Sequence, residues 1–178
     1  MGYPSAADLN ALSDEEFADE VAPLFEGAEG FLRRLAGARP FDSDHGLMAK
    51  AREVARTMPE PDQIELLNAH PPLGADPESV SAASFEEQGF GADDDGQGQV
   101  VLDELAMLNE VYEQRFGFRF VVFVAGRPLS SITPLIEAAM RNDRPAELAR
   151  GLDDVIDIAA DRLGRLRGEV LDREGDAR

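Results

Sequence analysis

The run Phe118-Arg119-Phe120-Val121-Val122-Phe123-Val124 limits the fold more than any other stretch of the chain. Its β-branched and aromatic residues favour extended backbone. A sheet needs at least two such runs, and no other stretch matches this one in strength. The rest of the sequence reads as helix. The expected fold is therefore all-α: a single-domain bundle of about seven to nine helices, with 118–124 as a buried extended segment rather than a strand.

Start and stop signals divide the helices. Ser5 caps a first short one ending near 12, and Ser13-Asp14-Glu15-Glu16 has the spacing of a capping box that opens a second toward 25. A third covers 28–38, before Pro40. A fourth begins at Ser43 or Asp44 and runs to 58, where Pro59 and Pro61 end it, and a short fifth covers 61–68. The Gly-, Asp- and Ser-rich stretch 74–98 reads as a long loop with one helical turn near 84–88, and loops of this length in a compact domain are usually functional or disordered. Leu105, Leu108, Tyr112 and Phe116 recur at helical steps through 99–115. Further helices are expected over 130–140 and 144–171, with a frayed polar tail at 172–178 beyond a domain of residues 1–171.

Composition narrows the function. The 178 residues suit one domain and contain no cysteine, which excludes disulfides, a thiol nucleophile and thiolate metal sites. No run approaches the roughly 18 apolar residues of a membrane span, and no signal peptide is evident, so a cytoplasmic protein is expected. Acidic residues outnumber basic ones 36 to 17, for a net charge of −19. That field repels nucleic acid. An anionic substrate would need locally placed arginines or helix N-termini.

Three places could carry chemistry. His70 precedes Pro71 and Pro72. A residue before proline is pushed out of the α region, and the two proline rings fix the backbone on its far side, so the imidazole stands on a rigid mount at a helix end. It could serve as a general acid or base there, or merely cap helix carbonyls. Ser84, Glu87 and Gln88 share a helical face; they could form a capping box, offer polar contacts to a ligand, or do both. Arg162 falls in the inward series Leu148, Leu152, Val155, Ala159, Leu166. A buried arginine needs an anion, either a protein carboxylate in an ion pair or a substrate carboxylate gripped bidentately. The second histidine, His45, reads as a surface residue in a loop leading into a helix. Metal-ligand spacing and a phosphate-binding glycine loop are both absent, and the runs Asp93-Asp94-Asp95 and Asp153-Asp154 read as solvated charge.

At these residues the chain resembles the 2-oxo-4-hydroxy-4-carboxy-5-ureidoimidazoline (OHCU) decarboxylase family. The matching pieces are Pro40-Phe41, Asn68-Ala69-His70-Pro71 with Leu73-Gly74, Ser84-x-x-Glu87-Gln88-Gly89, Leu108-Asn109-x-x-Tyr112-x-x-x-Phe116-Gly117-Phe118-x-Phe120-Val121, and Arg141-Asn142-x-x-x-x-Glu147-Leu148. The resemblance implies an all-helical, cofactor-independent carboxy-lyase that converts OHCU to (S)-allantoin in urate breakdown. It implies a homodimer coupled in function to uricase and hydroxyisourate hydrolase. By the same resemblance His70 is the catalytic acid/base and Glu87 its catalytic partner. Pro71, Ser84, Gln88, the stretch Arg119, Phe120, Val121, Val122, and Arg162 bind the substrate. This chain departs from the family at Pro72, where many members have Asp, and at Arg119, where Pro is frequent. Those departures leave open a second reading, a helical ureide-binding protein of the same fold that has lost the reaction.

Overall fold

The structure, a computed structural model, describes residues 3–74 and 98–168. Among them are eight α-helices and no strand. They are α1 (Ala6–Ala11), α2 (Asp14–Val21), α3 (Glu29–Ala36), α4 (Asp44–Thr57), α5 (Glu60–Ala69), α6 (Gly98–Phe116), α7 (Thr133–Ala139) and α8 (Arg144–Leu166). Short 3-10 turns sit at Ala22–Leu24 and Leu129–Ser131. The all-α expectation holds. The expected loop 75–97, with Ser84, Glu87 and Gln88, and the tail 172–178 lie outside the described residues.

The caps are those the sequence signals. Ser5 and Ser13 each accept from the amide three residues on, at Asp8 and Glu16, whose carboxylates reach back to the serine amides. Each such cap is worth about 1 kcal/mol. Ser43 caps α4 and Asp143 caps α8, each accepting from the amide three residues on, at Gly46 and Ala146. Two boundaries need correction. The second helix stops as α-helix at Val21 and tightens into the 3-10 turn, because Pro23 has no amide to continue the ladder. The last helix ends at Leu166, not near 171. Gly168 takes a left-handed φ of +72°, and Arg167 turns back to the Pro4 carbonyl at 2.7 Å and the Asp44 carboxylate. His45 lies in the first turn of α4, exposed, rather than in a preceding loop.

The buried apolar side chains form one cluster from Ala6 to Leu163. Helix α8 is its axis. It buries Leu148, Leu152, Val155, Ile156, Ile158, Ala159 and Leu163 and packs on α4, α5 and the first 3-10 turn. Gly151 lets α5 come close: a Cβ there would stand 3.1 Å from the Leu67 Cδ2. That approach seats the end of α5, and with it His70, beside α8.

The segment 118–124 is extended and has no strand partner among the described residues. Buried backbone carbonyls must nevertheless be paired. Arginines supply the donors. Arg150 donates to the Val121 carbonyl at 2.9 Å, and Arg127 donates to those of Phe123 and Val124 at 2.6 and 2.8 Å. The aromatic side chains anchor the other side. Tyr112 lies against Phe116, Phe118 and Phe120 at centroid separations of 4.6, 6.0 and 5.0 Å, and the Arg150 guanidinium stands 4.9 Å above Phe120.

Candidate active site

His70 is the C-cap of α5, with φ −73° and ψ 139°, the extended geometry that a following proline demands. Its amide bonds the Leu67 carbonyl at 3.2 Å, and its ring folds back so that Nδ1 lies 3.2 Å from the Leu66 carbonyl. A carbonyl only accepts, so Nδ1 carries the proton and Nε2 presents a lone pair. Nε2 is buried and has no hydrogen-bond partner among the described residues. Burial above all, then the Arg162 charge, pushes the imidazole pKa down to about 4, so the ring is neutral at ordinary pH. The two readings of His70 are thus compatible: one ring nitrogen caps the helix and the other remains available.

A narrow cleft opens beside this ring. His70, Pro71, Phe120, Val121, Val122 and Arg162 are among the residues that line it. Five of the predicted site residues therefore stand with His70 on one cavity. Among the described residues, the amides of Phe120, Val121 and Val122 donate to no backbone carbonyl. An extended stretch with such amides can read the edge of a polar ring.

Arg162 is 4% exposed. Its guanidinium donates to the Pro23 carbonyl at 2.9 Å and to Glu26 Oε1 at 2.7 Å. Both readings of Arg162 meet here as well, since it is ion-paired with a protein carboxylate and also faces the cavity. Glu26 has φ +51°, an uncommon conformation for a non-glycine residue, and Gly27 follows at +73°. This paired left-handed turn carries the carboxylate to the arginine. Arg119, predicted to touch substrate, does not line the cleft. Its amide donates to Asn68 Oδ1 at 2.9 Å, and its guanidinium donates to the carbonyls of Asn68 and His70.

The sequence assigns no role to several other residues of the site, although Asn109, Tyr112, Asn142 and Glu147 fall in the motifs that carry the resemblance. Glu26 is one, since a left-handed glutamate has no sequence signature. Asn109 is another: its Nδ2 donates to the Leu73 carbonyl at 2.9 Å and pins the chain after the prolines. A third group lies behind the extended segment. There Glu147, fully buried, accepts from Tyr112 at 2.6 Å, from Asn142 at 2.9 Å and from Arg150 at 2.5 and 2.7 Å. Burial alone would raise the Glu147 carboxyl; the bonds from Arg150, Tyr112 and Asn142 outweigh it and hold the group below its usual value. Among the described residues no cluster could hold a metal ion, and no helix is long and apolar enough to cross a membrane.

The chain is similar to known proteins along nearly its whole length. The family model for OHCU decarboxylase matches residues 10–164. The 2-oxo-4-hydroxy-4-carboxy-5-ureidoimidazoline decarboxylase of Halalkalicoccus jeotgali is 30% identical over 159 residues, 89% of each chain. The uric acid degradation bifunctional protein of a Bacillus species is 30% identical over 171 residues, which are 94% of this chain and 32% of that longer one. Among solved structures, an OHCU decarboxylase crystallised in the presence of (S)-allantoin superimposes with a TM-score of 0.66 at 22% identity, covering 84% of this chain and 98% of that one. That superposition carries the fold, and the sequence match carries the kinship: the chain belongs to the OHCU decarboxylase family.

Proposed function

We propose that the protein decarboxylates OHCU to (S)-allantoin in urate breakdown, with His70 as the proton carrier. The observation that carries this reading is that His70, whose buried Nε2 has no partner among the described residues, lines the same cleft as Arg162 and residues 120–122.

The substrate's carboxylate sits on a ring carbon that also bears a hydroxyl and adjoins an imine. When the bond to CO₂ breaks, its electron pair spreads through the neighbouring carbon onto the imine nitrogen, which takes a proton from solvent. The hydroxyl-bearing carbon must then become a carbonyl. To do so the hydroxyl proton leaves, and the neighbouring ring carbon gains one. A neutral imidazole with a free lone pair suits both halves: Nε2 accepts the hydroxyl proton and returns it to carbon. Delivery from one side yields one enantiomer. Arg162 holds the substrate carboxylate, and the amides of 120–122 bind the ring. Pro71 closes the wall beside the imidazole. By the family resemblance Ser84, Glu87 and Gln88 complete the site, with Glu87 as the catalytic partner of His70.

On this reading residues 1–171 are one catalytic domain that works as a cytoplasmic homodimer, without a cofactor, on the product of uricase and hydroxyisourate hydrolase. A relative named for bifunctional uric acid degradation supports the coupling. The test is a stereochemical assay: urate is converted by those two enzymes, this protein is added, and circular dichroism follows allantoin. His70→Asn is expected to lose about 10²- to 10⁴-fold of the stereospecific rate while keeping its helical spectrum. Wild-type rates in that variant would end the proposal.

A further inference from the structure

Helix α5 ends without the usual means of closing. The last carbonyls of a helix lack intrahelical partners, and in common C-terminal motifs the amides just past the cap supply them. Here those two positions are Pro71 and Pro72, which have no amide hydrogen. His70 covers part of the deficit, through its Nδ1 to Leu66 and its amide to Leu67. The carbonyls of Asn68 and His70 are met from outside the helix, both by Arg119 Nη1, at 3.0 and 2.5 Å. The contact is reciprocal, since the Asn68 side chain accepts the Arg119 amide at 2.9 Å. Glu113 stands 3.4 Å from Arg119 Nε and steadies the guanidinium.

We propose that Arg119 is a positioning residue, which fastens the proline-terminated end of α5 to the extended segment and so sets where the His70 ring stands against bound substrate. The proposal rests on His70 as the proton carrier. Its reach comes from chain position: Arg119 directly precedes the run 120–124 that lines the cleft. One side chain therefore ties the imidazole wall to the ring-reading wall. Without it the two walls are joined by the Asn68 contact and apolar packing. A misplacement near 1 Å between a reacting group and its target can cost about 100-fold in rate. Lysine cannot reproduce the planar, multi-donor guanidinium, though it keeps the charge.

The experiment compares Arg119→Ala, Arg119→Lys and His70→Asn with the wild type in the coupled dichroism assay, taking kcat and KM separately across pH. Arg119→Ala is expected to lower kcat about 10- to 100-fold and leave KM within about threefold, with Arg119→Lys in between. The acid limb of the pH profile adds a readout that lost stability would not move. Among the described residues, the charged groups acting on His70 are Arg162 and Arg119, which lower its pKa, and Glu26, which raises it. Removing the Arg119 charge moves the limb to higher pH; lysine leaves it in place. Thermal melts establish that each variant is folded. Should the alanine variant not fold, the lysine variant decides: reduced kcat with an unmoved limb supports the assignment. Wild-type kcat in the lysine variant and in any folded alanine variant, or a loss confined to KM, overturns it. Activity persisting in His70→Asn would instead defeat the assignment of His70, whatever Arg119 does.

Discussion

Two buried polar clusters flank the extended segment, and they are built on opposite terms. Behind it, the Glu147 carboxylate is fully enclosed and takes four hydrogen bonds, from Tyr112, Asn142 and twice from Arg150. In front of it, His70 is 4% exposed and one ring nitrogen has no partner among the described residues. Leaving a buried polar atom unpaired costs about 1–3 kcal/mol. The first cluster avoids that cost at its carboxylate and the second accepts it. The saturated cluster has no vacancy for a ligand, but its Arg150 holds the Val121 carbonyl and covers the Phe120 ring, so it is the scaffold on which the cleft wall hangs. The unsaturated cluster faces the cleft. Between these two clusters burial does not distinguish scaffold from site; hydrogen-bond saturation does.

The contrast breaks first at Glu147. Removing the carboxylate leaves the buried Tyr112 hydroxyl and the Asn142 amide without their acceptor, a few kcal/mol together at about 1–3 kcal/mol each, while Arg150 keeps its pair with Asp154. Glu147→Ala is expected to lose about that much unfolding free energy in urea, and Glu147→Gln less, because it still accepts from Tyr112 and Arg150. A loss under about 1 kcal/mol in the alanine variant would show that the saturated cluster is not a scaffold. His70→Asn should behave the other way, with its effect on rate rather than on the neutral-pH fold.

A slightly smaller effect separates the clusters by pH. The His70 ring protonates near its ordinary 6.5 in the unfolded chain but only near about 4 in the folded one. Folding therefore favours the neutral ring. That contribution is complete above pH 6.5, fades as pH falls, and is gone below about 4. The span corresponds to about 3 kcal/mol. Urea titrations of wild type and His70→Asn at pH 7 and pH 4 should differ in their stability change by about this amount, since the carboxylates common to both cancel. Parallel pH dependences would mean that the ring is not held neutral. The acid limb of the rate should likewise lie near pH 4 rather than 6.5.

Much of this is legible in the residues. Serine caps, proline stops and periodic leucines mark the helices, and a lone β-like run marks the segment. His70 can be placed because proline restricts the residue before it, and Arg162 because it interrupts an apolar series. What stays hidden depends on partners far apart in the chain. Arg150 looks like an ordinary surface arginine until Val121, 29 residues away, needs a donor. Arg119 looks like a substrate contact because it sits in a run expected to touch substrate, yet its side chain serves the end of α5. Glu26 gives no sign at all: its conformation and its arginine, 136 residues on, are matters of tertiary structure.

Glu26 offers the finest test of the comparison, because it is where a paired charge meets the unsaturated cluster. Its carboxylate holds Arg162 at 2.7 Å and raises the His70 pKa, while Arg162 lowers it. Glutamine in its place keeps an acceptor oxygen for Arg162 and removes the charge. Two consequences then oppose one another. With its charge less offset, Arg162 should attract an anionic substrate more strongly, so KM falls. With less negative charge nearby, the His70 cation forms less readily, so the acid limb moves to lower pH and kcat falls. Each change should be a few-fold, on the order of 1 kcal/mol. The left-handed backbone at residue 26 tolerates glutamine no worse than glutamate, so a folding defect would not mimic this split. If Glu26→Gln moves kcat and KM in opposite directions, or shifts neither the limb nor KM, Arg162 belongs with the scaffold of Glu147 and not with the site of His70.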